Sequence, residues 1–293
     1  KTGEALNDLI REANVTAKSA GFGIPLSGSL ISVITLPTKN REDLKTMVPL
    51  EARKYIPVPI SEVSLDWFEI PEEEAQFLGA QGVPRNINAT DVLLVAIHNQ
   101  TLSKFEAVTG STKLIPKFYE VEPFSMARSA YQHGTAPTMV MDFGASSTRV
   151  FIIEFGIIDV SHTIPKGGQD FTRAVSQSQG LTFTEAEMKK REKGLTDNTV
   201  GEASLDFIFS EARRILLTYQ RKEGKAISEV VFVGGGAELK GITEVAARYF
   251  DARVTLSTPF DKVSAPAFID GVLKEAGPSF AAAVGLALRG LQK

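Results

Sequence analysis

The fold is decided by the stretch Met141-Asp142-Phe143-Gly144-Ala145-Ser146-Ser147-Thr148. Apolar residues precede Asp142, so we predict a buried strand that ends in a tight turn. The small residues let backbone N–H groups approach an anion closely, the serine hydroxyls add donors, and Asp142 is placed to reach a metal-bound water. Taken alone, however, an Asp-x-Gly turn is more often ordinary hairpin chemistry than a binding site.

A second glycine-rich stretch follows further along the chain, Val231-Phe232-Val233-Gly234-Gly235-Gly236-Ala237. Its pattern predicts a strand, a glycine turn and a helix over 238–250, an arrangement that presents the N-terminus of a helix to a ligand. Three successive glycines also let a flat base lie against the backbone, although such glycines serve simple close packing as well. Neither stretch has the P-loop or the dinucleotide-binding pattern.

Composition excludes several classes of protein and site. The chain has 293 residues, 43% hydrophobic and 23% charged, as expected of a globular protein with two domains or one large composite domain. The absence of cysteine excludes disulfides, thiolate nucleophiles, zinc fingers and iron–sulfur clusters. A net charge of -3 gives no support for nucleic-acid binding. No apolar run approaches the roughly 20 residues that a membrane-spanning helix needs.

Hydrophobic periodicity predicts helices and strands in both halves of the chain, which indicates the α/β class. Strands are predicted over 29–36, 62–70, 91–98, 113–121, 138–143, 148–155, 157–164, 228–233 and 253–256. Helices are predicted over 4–19, 41–55, 99–110, 123–132, 184–193, 202–222, 238–250 and 279–291, with another after Gly168. We place the boundary between the halves near Ala136 and Pro137, and residues 39–112 form a compositionally distinct insertion in the first half.

The two glycine stretches, in this order, resemble the actin-like ATPase superfamily. Two further segments match its hinge motifs, Glu122–Arg128 and Gly277–Ala287. Within the superfamily the chain is closer to the PilM family of type IV pilus assembly. The motifs that carry this resemblance are Tyr55–Pro59, Glu62–Trp67, Lys166–Thr172 and Pro266–Phe268.

The resemblance implies a ribonuclease H-like fold of two domains with an FtsA-type inserted subdomain. Domain 1 would comprise 1–38 with 113–136 and 278–293, and the insertion 39–112. Domain 2 would comprise 137–277, with a small helical subdomain over about 173–225.

The resemblance also implies a nucleotide site for ATP or ADP with Mg²⁺. Asp142, Gly144, Ala145, Ser146 and Ser147 would face the phosphates, with Asp142 also serving the metal. The N–H groups of Gly167 and Gly168 would close on the terminal phosphate. Gly234, Gly235, Gly236, Ala237 and Lys240 would cover the adenosine, and Glu187 and Lys190 would flank the ribose and base. A solvated surface pair remains the alternative for Glu187 and Lys190, which are three residues apart on a charged helix.

One motif of the superfamily is missing from the sequence. Its first phosphate hairpin, of the form Asp-x-Gly-Ser/Thr, has no counterpart before Ser29, and the chain begins at Lys1. We therefore expect this hairpin, with one carboxylate for Mg²⁺, to have been removed from the N-terminus. The full-length protein would then bind ATP, and this chain would bind it weakly or not at all.

The sequence leaves three functions open. The resemblance favours a cytoplasmic scaffold of the pilus inner-membrane platform that binds the N-terminal cytoplasmic peptide of PilN and reaches the membrane only through partners. Other platform proteins, motor ATPases and self-association are further implied contacts, and any ATPase activity would be slow. Tyr55, Ile56, Trp67 and Phe68 either line a groove for the peptide or belong to the core of the insertion. The alternatives are an FtsA-like division ATPase and an actin-fold kinase, but no catalytic residue can be assigned.

Overall fold

The structure is a computed structural model that describes residues 1–75, 86, 88–132, 134, 136–195 and 199–292. These residues divide into two units. The first contains the described residues up to Ser125 together with those from Leu286 onward, and the second contains the described part of Met126–Gly285. The α/β class predicted from periodicity is confirmed, because helices and strands occur in both units.

The first unit follows the predicted order of elements with two additions, a strand at Ser19–Ile24 and a short helix at Glu72–Ala75. Its elements are α1 (Thr2–Glu12), β1 (Ser19–Ile24), β2 (Ser29–Leu36), α2 (Arg41–Ala52), β3 (Val63–Glu69), α3 (Glu72–Ala75), β4 (Thr90–His98), α4 (Asn99–Gly110) and β5 (Ile115–Val121). The next helix, α5 (Glu122–Ala130), is divided between the two units. The helix predicted over 4–19 is shorter than expected, because its second part is loop and the start of β1.

Three strands of the first unit form an antiparallel sheet in the order β2-β4-β3. Alternate residues of these strands face α2, and together they bury a core that contains Ile34, Leu44, Val48 and Leu94. The predicted insertion starts at residue 39, but this sheet takes its first strand from 29–36. The sheet therefore includes a strand that lies before the predicted start of the insertion, and the bounds of the insertion stay a prediction. The sequence pattern shows a strand at 29–36 but not its partner, since strand pairing is a long-range property.

The strand β1 belongs to a two-stranded sheet with β5, and local sequence pattern does not predict it. It pairs in parallel with β5, and its sequence contains two glycines, Gly21 and Gly23, which are unfavourable in strands. The ring of Phe118 on β5 explains one of them, because a Cβ at Gly21 would lie 2.4 Å from that ring. Close packing against an aromatic ring therefore overrides the local preference.

The second unit is built on a five-stranded sheet in the order β10-β9-β6-β7-β8. Its strands are β6 (Thr138–Phe143), β7 (Thr148–Glu154), β8 (Ile157–Ile164), β9 (Glu229–Val233) and β10 (Arg253–Leu256). The strands β6, β7 and β8 pair antiparallel, whereas β9 pairs in parallel with both β6 and β10. All six residues of β6 are buried, and its mostly apolar sequence ends in Asp142 and Phe143.

Helices of the second unit pack against this sheet and against one another. They are α6 (Gly168–Gln179), α7 (Phe183–Lys193), α8 (Thr199–Glu223), α9 (Ile242–Ala246) and α10 (Asp270–Ala276), and α11 (Ala281–Leu291) is divided between the units. The helix predicted over 238–250 is reduced to a 3-10 turn at Gly235–Glu238 and the short α9. Gly241 separates the two with a φ of 84°, which a continuous helix does not allow. Among the described residues, no helix is long and apolar enough to cross a membrane.

Candidate functional site

The two glycine-rich stretches meet at one edge of the five-stranded sheet. The parallel strands β6 and β9 run side by side, with Asp142 opposite Val233, so the turns that follow them lie together. Gly234 has a φ of 85°, and a Cβ there would lie 2.4 Å from Oδ1 of Asp142. At Gly236 a Cβ would lie 2.7 Å from that of Phe143. Both positions therefore require glycine, because the second turn packs directly on the end of β6.

The turn after β6 is a closed hairpin whose tip is exposed. The N–H of Gly144 donates to the carbonyl of Ser147 over 3.0 Å, which sets the start of β7. Ala145 and Ser146 are exposed at the tip, and Ser147 is partly buried. These residues form the tight turn that the sequence predicts, and their role toward phosphates stays a prediction.

The N-terminus of α6 packs on this turn. The N–H of Gly168 donates to the carbonyl of Gly144 over 3.0 Å, and that of Gln169 donates to the carbonyl of Ala145 over 2.8 Å. The N–H of Gly167 donates to Oδ2 of Asp170 over 2.9 Å. A Cβ at Gly167 would lie 2.6 Å from the Gly144 carbonyl oxygen, which explains the glycine by packing.

The phosphate role of the Gly167 and Gly168 N–H groups stays a prediction. Both groups already have acceptors within the protein. The reason is that the turn 144–147 directs its carbonyl oxygens toward the helix, and the N–H groups at a helix start bind any such acceptor. A phosphate would have to displace these contacts.

Glu187 and Lys190 form a fixed, partly buried pair. The Lys190 Nζ lies 2.7 Å from Oε2 of Glu187 and also donates to the Gly168 carbonyl over 3.2 Å and to Oγ1 of Thr172 over 2.9 Å. Thr172 in turn donates to Glu187 over 2.5 Å. The pair therefore links α7 to the first turns of α6 through hydrogen bonds. A solvated surface pair would make no such contacts with a second helix.

The contacts of Glu187 keep its carboxylate charged. Partial burial acts against the charge, but hydrogen bonds from Lys190, Thr172 and Arg191 outweigh burial and lower the pKa of Glu187 from 4.5 to about 2. The ion pair therefore persists throughout the neutral pH range. A role beside ribose and base stays a prediction for these two residues.

Lys240 lies at the C-terminal end of α7. Its Nζ donates to the carbonyl of Glu192 over 3.1 Å, and the negative end of the helix dipole also favours a cation at this position. Its backbone carbonyl accepts from the N–H of Leu195 over 3.0 Å, and Ala237 of the same segment is buried. Residues 234–240 and α7 therefore border the same region, as the expected adenosine site requires.

Asp142 forms an ion pair that the sequence did not lead us to expect. It stands directly opposite Arg149 across the β6–β7 pair, and Nε of Arg149 lies 2.9 Å from its Oδ2. Only 4% of the Asp142 side chain and 19% of the Arg149 side chain are exposed. The signal is present in the sequence, because a hairpin closed by the turn 144–147 places residues 142 and 149 opposite each other.

This geometry does not fit the metal role expected for Asp142. One carboxylate oxygen lies on the guanidinium group and the other lies under Gly234, whereas a magnesium ligand must face a hydrated ion. Among the described residues, no group of three or more His, Asp or Glu side chains is arranged to hold a metal ion.

The four residues expected at a partner groove divide between core and surface. Ile56 is 7% exposed, and Trp67 packs against the same core under α2. Tyr55 and Phe68 are 44% and 50% exposed. A shallow concavity of about 540 Å³ is lined by Arg41, Lys45, Trp67, Phe68 and Glu69. Trp67 and Phe68 thus both border this concavity, although as successive residues of β3 they face opposite sides of the sheet, and Ile56 lies in the core.

A protein family and a solved structure each match all or nearly all of the chain. A family model described as type IV pilus assembly protein PilM matches residues 1–291. A solved structure titled a PilM-PilN type IV pilus biogenesis complex matches with a TM-score of 0.83 and 23% identity, over 100% of this chain and 85% of that chain.

Two more distant structures also match. The ethanolamine utilization protein EutJ from Carboxydothermus hydrogenoformans matches with a TM-score of 0.48 and 22% identity, over 62% of this chain and 59% of that one. MreB5 of Spiroplasma citri bound to ADP matches with a TM-score of 0.47 and 14% identity, over 66% and 65% of the two chains.

Proposed function

Because the chain belongs to the PilM family of type IV pilus assembly proteins, we propose that it is a scaffold of the pilus assembly machinery that binds the tail of a membrane-bound partner of the PilN type. The family match over residues 1–291 is the observation that carries the proposal. The likeness in fold to the protein of a PilM-PilN complex supports it, since that likeness extends over 100% of this chain. The same match favours pilus assembly over the division-protein and kinase alternatives.

The concavity beside β3 is the surface that we propose for the partner tail. The described part of the chain pairs β3 with β4 alone, so β3 is an edge strand there, and an extended peptide can add to such an edge. Phe68 supplies an exposed apolar contact, and Arg41 and Lys45 supply positive charge, each next to a carboxylate of the chain, Glu69 and Glu42. A tail with an apolar residue next to a carboxylate fits this surface if its carboxylate takes the place of one of these two. Tyr55 is exposed as well and is a second candidate contact.

The second unit is proposed to bind ATP or ADP at its glycine turns. The supporting observation is that Gly234, Gly236 and the end of β6 pack together at the carboxyl edge of parallel strands, which is where open α/β sheets bind ligands. Residues 234–237 would receive the adenosine, and Ser146 and Ser147 would offer donors to phosphate oxygens. A nucleotide bound there acts as a structural ligand that selects among conformations of the scaffold.

Copurification tests the partner proposal. The protein, immobilised through a tag, is incubated with the N-terminal cytoplasmic peptide of the PilN protein from the same organism and with a scrambled peptide of equal charge. We expect retention of the first peptide alone. Equal retention of both peptides by folded protein would contradict a specific partner site.

A further inference from the structure

The Asp142 carboxylate is enclosed on both sides. Its Oδ2 lies 2.9 Å from Nε of Arg149. Its Oδ1 lies so close to Gly234 that a Cβ there would approach it to 2.4 Å. The residue is thus held between the neighbouring strand β7 and the turn that follows β9.

Charge balance within the protein explains this arrangement. A buried carboxylate that lacks a partner is strongly unfavourable, so it requires a cation or several hydrogen-bond donors. Arginine suits this position, because its guanidinium group is always charged and is weakly hydrated compared with an ammonium group. The cross-strand register fixes the partner, since Asp142 and Arg149 are paired residues of β6 and β7. The positive charge next to Asp142 is therefore encoded in the chain.

We propose that Asp142 and Arg149 form a permanent ion pair at the end of β6, where the two glycine turns meet, and that this pair replaces a metal–carboxylate contact, so that nucleotide binding does not depend on a divalent cation held by Asp142. The inference deepens the proposed nucleotide site and rests on it. Arg149 is here a positioning residue: it acts by holding Asp142, whose carboxylate packs against Gly234.

The first experiment compares binding of ADP and ATP by isothermal titration in Mg²⁺ and in EDTA, for the protein and for Asp142→Asn. For each nucleotide we take the ratio of the dissociation constant in EDTA to that in Mg²⁺. We expect Asp142→Asn to leave this ratio unchanged to within about threefold. A ratio of about tenfold or more that Asp142→Asn abolishes would overturn the inference, because the carboxylate would then hold the metal. A complete failure of the full-length protein to bind either nucleotide would refute the proposed site instead, and the second experiment then decides.

The second experiment needs no nucleotide. Thermal unfolding is followed for Asp142→Asn, Arg149→Gln and the double variant, with and without Mg²⁺. We expect the double variant to lose less than the sum of the single losses in Tm, by about 4 °C or more. We also expect Mg²⁺ to leave the Tm of the protein unchanged. Additive losses, or a rise in Tm with Mg²⁺ that Asp142→Asn removes, would overturn the ion-pair account.

Two further variants keep this test decisive. Arg149→Lys retains the charge and is expected to recover part of the loss in Tm, which answers the case in which Arg149→Gln fails to fold; no recovery would contradict the pair. Arg253→Gln is the matched control, since Arg253 and Glu229 also stand opposite each other on neighbouring strands. The Arg253 side chain is mostly exposed, so its loss is expected to lower the Tm far less.

Discussion

Gly234 lies directly against the carboxylate of Asp142, at a distance that leaves no room for a side chain: a Cβ on Gly234 would lie 2.4 Å from Oδ1. The two residues lie at the ends of the neighbouring strands β9 and β6, which are far apart in the sequence. Their contact brings the two separate glycine stretches together at one edge of the sheet.

The first prediction follows from this contact. Gly234→Ala forces both a collision with Asp142 and a left-handed backbone at φ 85° on a residue with a side chain. We expect a loss in the free energy of unfolding of about 3 kcal/mol or more, measured by urea denaturation. Gly156→Ala is the matched control, because Gly156 has a φ of 81° but open space around it. The control is expected to lose only about 1 kcal/mol, and equal losses would contradict the close packing.

The second prediction concerns pH. The pKa of Glu187 is lowered to about 2 in the folded protein, so its contacts stabilise the fold above the unfolded value near 4.5 and are lost as the pH falls toward 2. Glu187→Gln should therefore reduce the free energy of unfolding at pH 7 by about 1 kcal/mol, after allowance for solvent screening. The difference should shrink as the pH is lowered from 5 to 3. Denaturation of both proteins across this range checks it.

The exposed Lys189 on the same helix provides the control for that series. Lys189→Gln is expected to leave the free energy of unfolding nearly unchanged at every pH. A difference for Glu187→Gln that grows toward low pH would show that the sign of the pKa shift is wrong.

The third prediction concerns a buried ion pair between β7 and the segment after α8. The Nζ of Lys225 lies 2.8 Å from Oε2 of Glu154, and both side chains are buried. Lys225→Met leaves the carboxylate without its cation and should lower the free energy of unfolding by about 3–5 kcal/mol. The exposed pair Arg214–Glu211 gives the comparison, because Arg214→Met should cost at most about 1 kcal/mol. Losses of similar size would refute the distinction that burial makes.

The fourth prediction separates two adjacent residues. Ile56 belongs to the core under α2, whereas Tyr55 is exposed. Ile56→Ala should lower the free energy of unfolding by about 2–4 kcal/mol, and Tyr55→Ala by about 0.5 kcal/mol or less. Chemical denaturation of both variants decides between core and groove for this stretch. A large loss for Tyr55→Ala would place it in the core as well.

Several elements can be predicted because their local pattern and their environment agree. The helix at Asn99–Gly110 is found at the predicted bounds, since its apolar spacing and its loop signals coincide. The glycine turns stand out in the sequence because small residues at the ends of buried strands let the backbone approach a neighbour closely. Membership in the family is visible in motifs spread over nearly the whole chain.

Other features depend on contacts that local sequence does not encode. The strand Ser19–Ile24 is stabilised by Phe118 on β5, and its glycines hide it from pattern analysis. Arg149 escapes notice, although hairpin register pairs it with Asp142, because the motif around Asp142 favours a metal role. The N–H groups of Gly167 and Gly168 are similarly expected at a phosphate, but acceptors within the protein already bind them.

The most direct test of the scaffold function is the affinity of the folded protein for its expected partner tail. Fluorescence anisotropy of a labelled peptide, the N-terminal cytoplasmic residues of PilN from the same organism, measures it. We predict saturable binding in the range of about 1–10 μM, weakened about tenfold by Phe68→Ser. Phe183→Ser, at an exposed phenylalanine of the second unit, should leave the affinity unchanged. No saturable binding by protein with an intact unfolding transition would contradict the account.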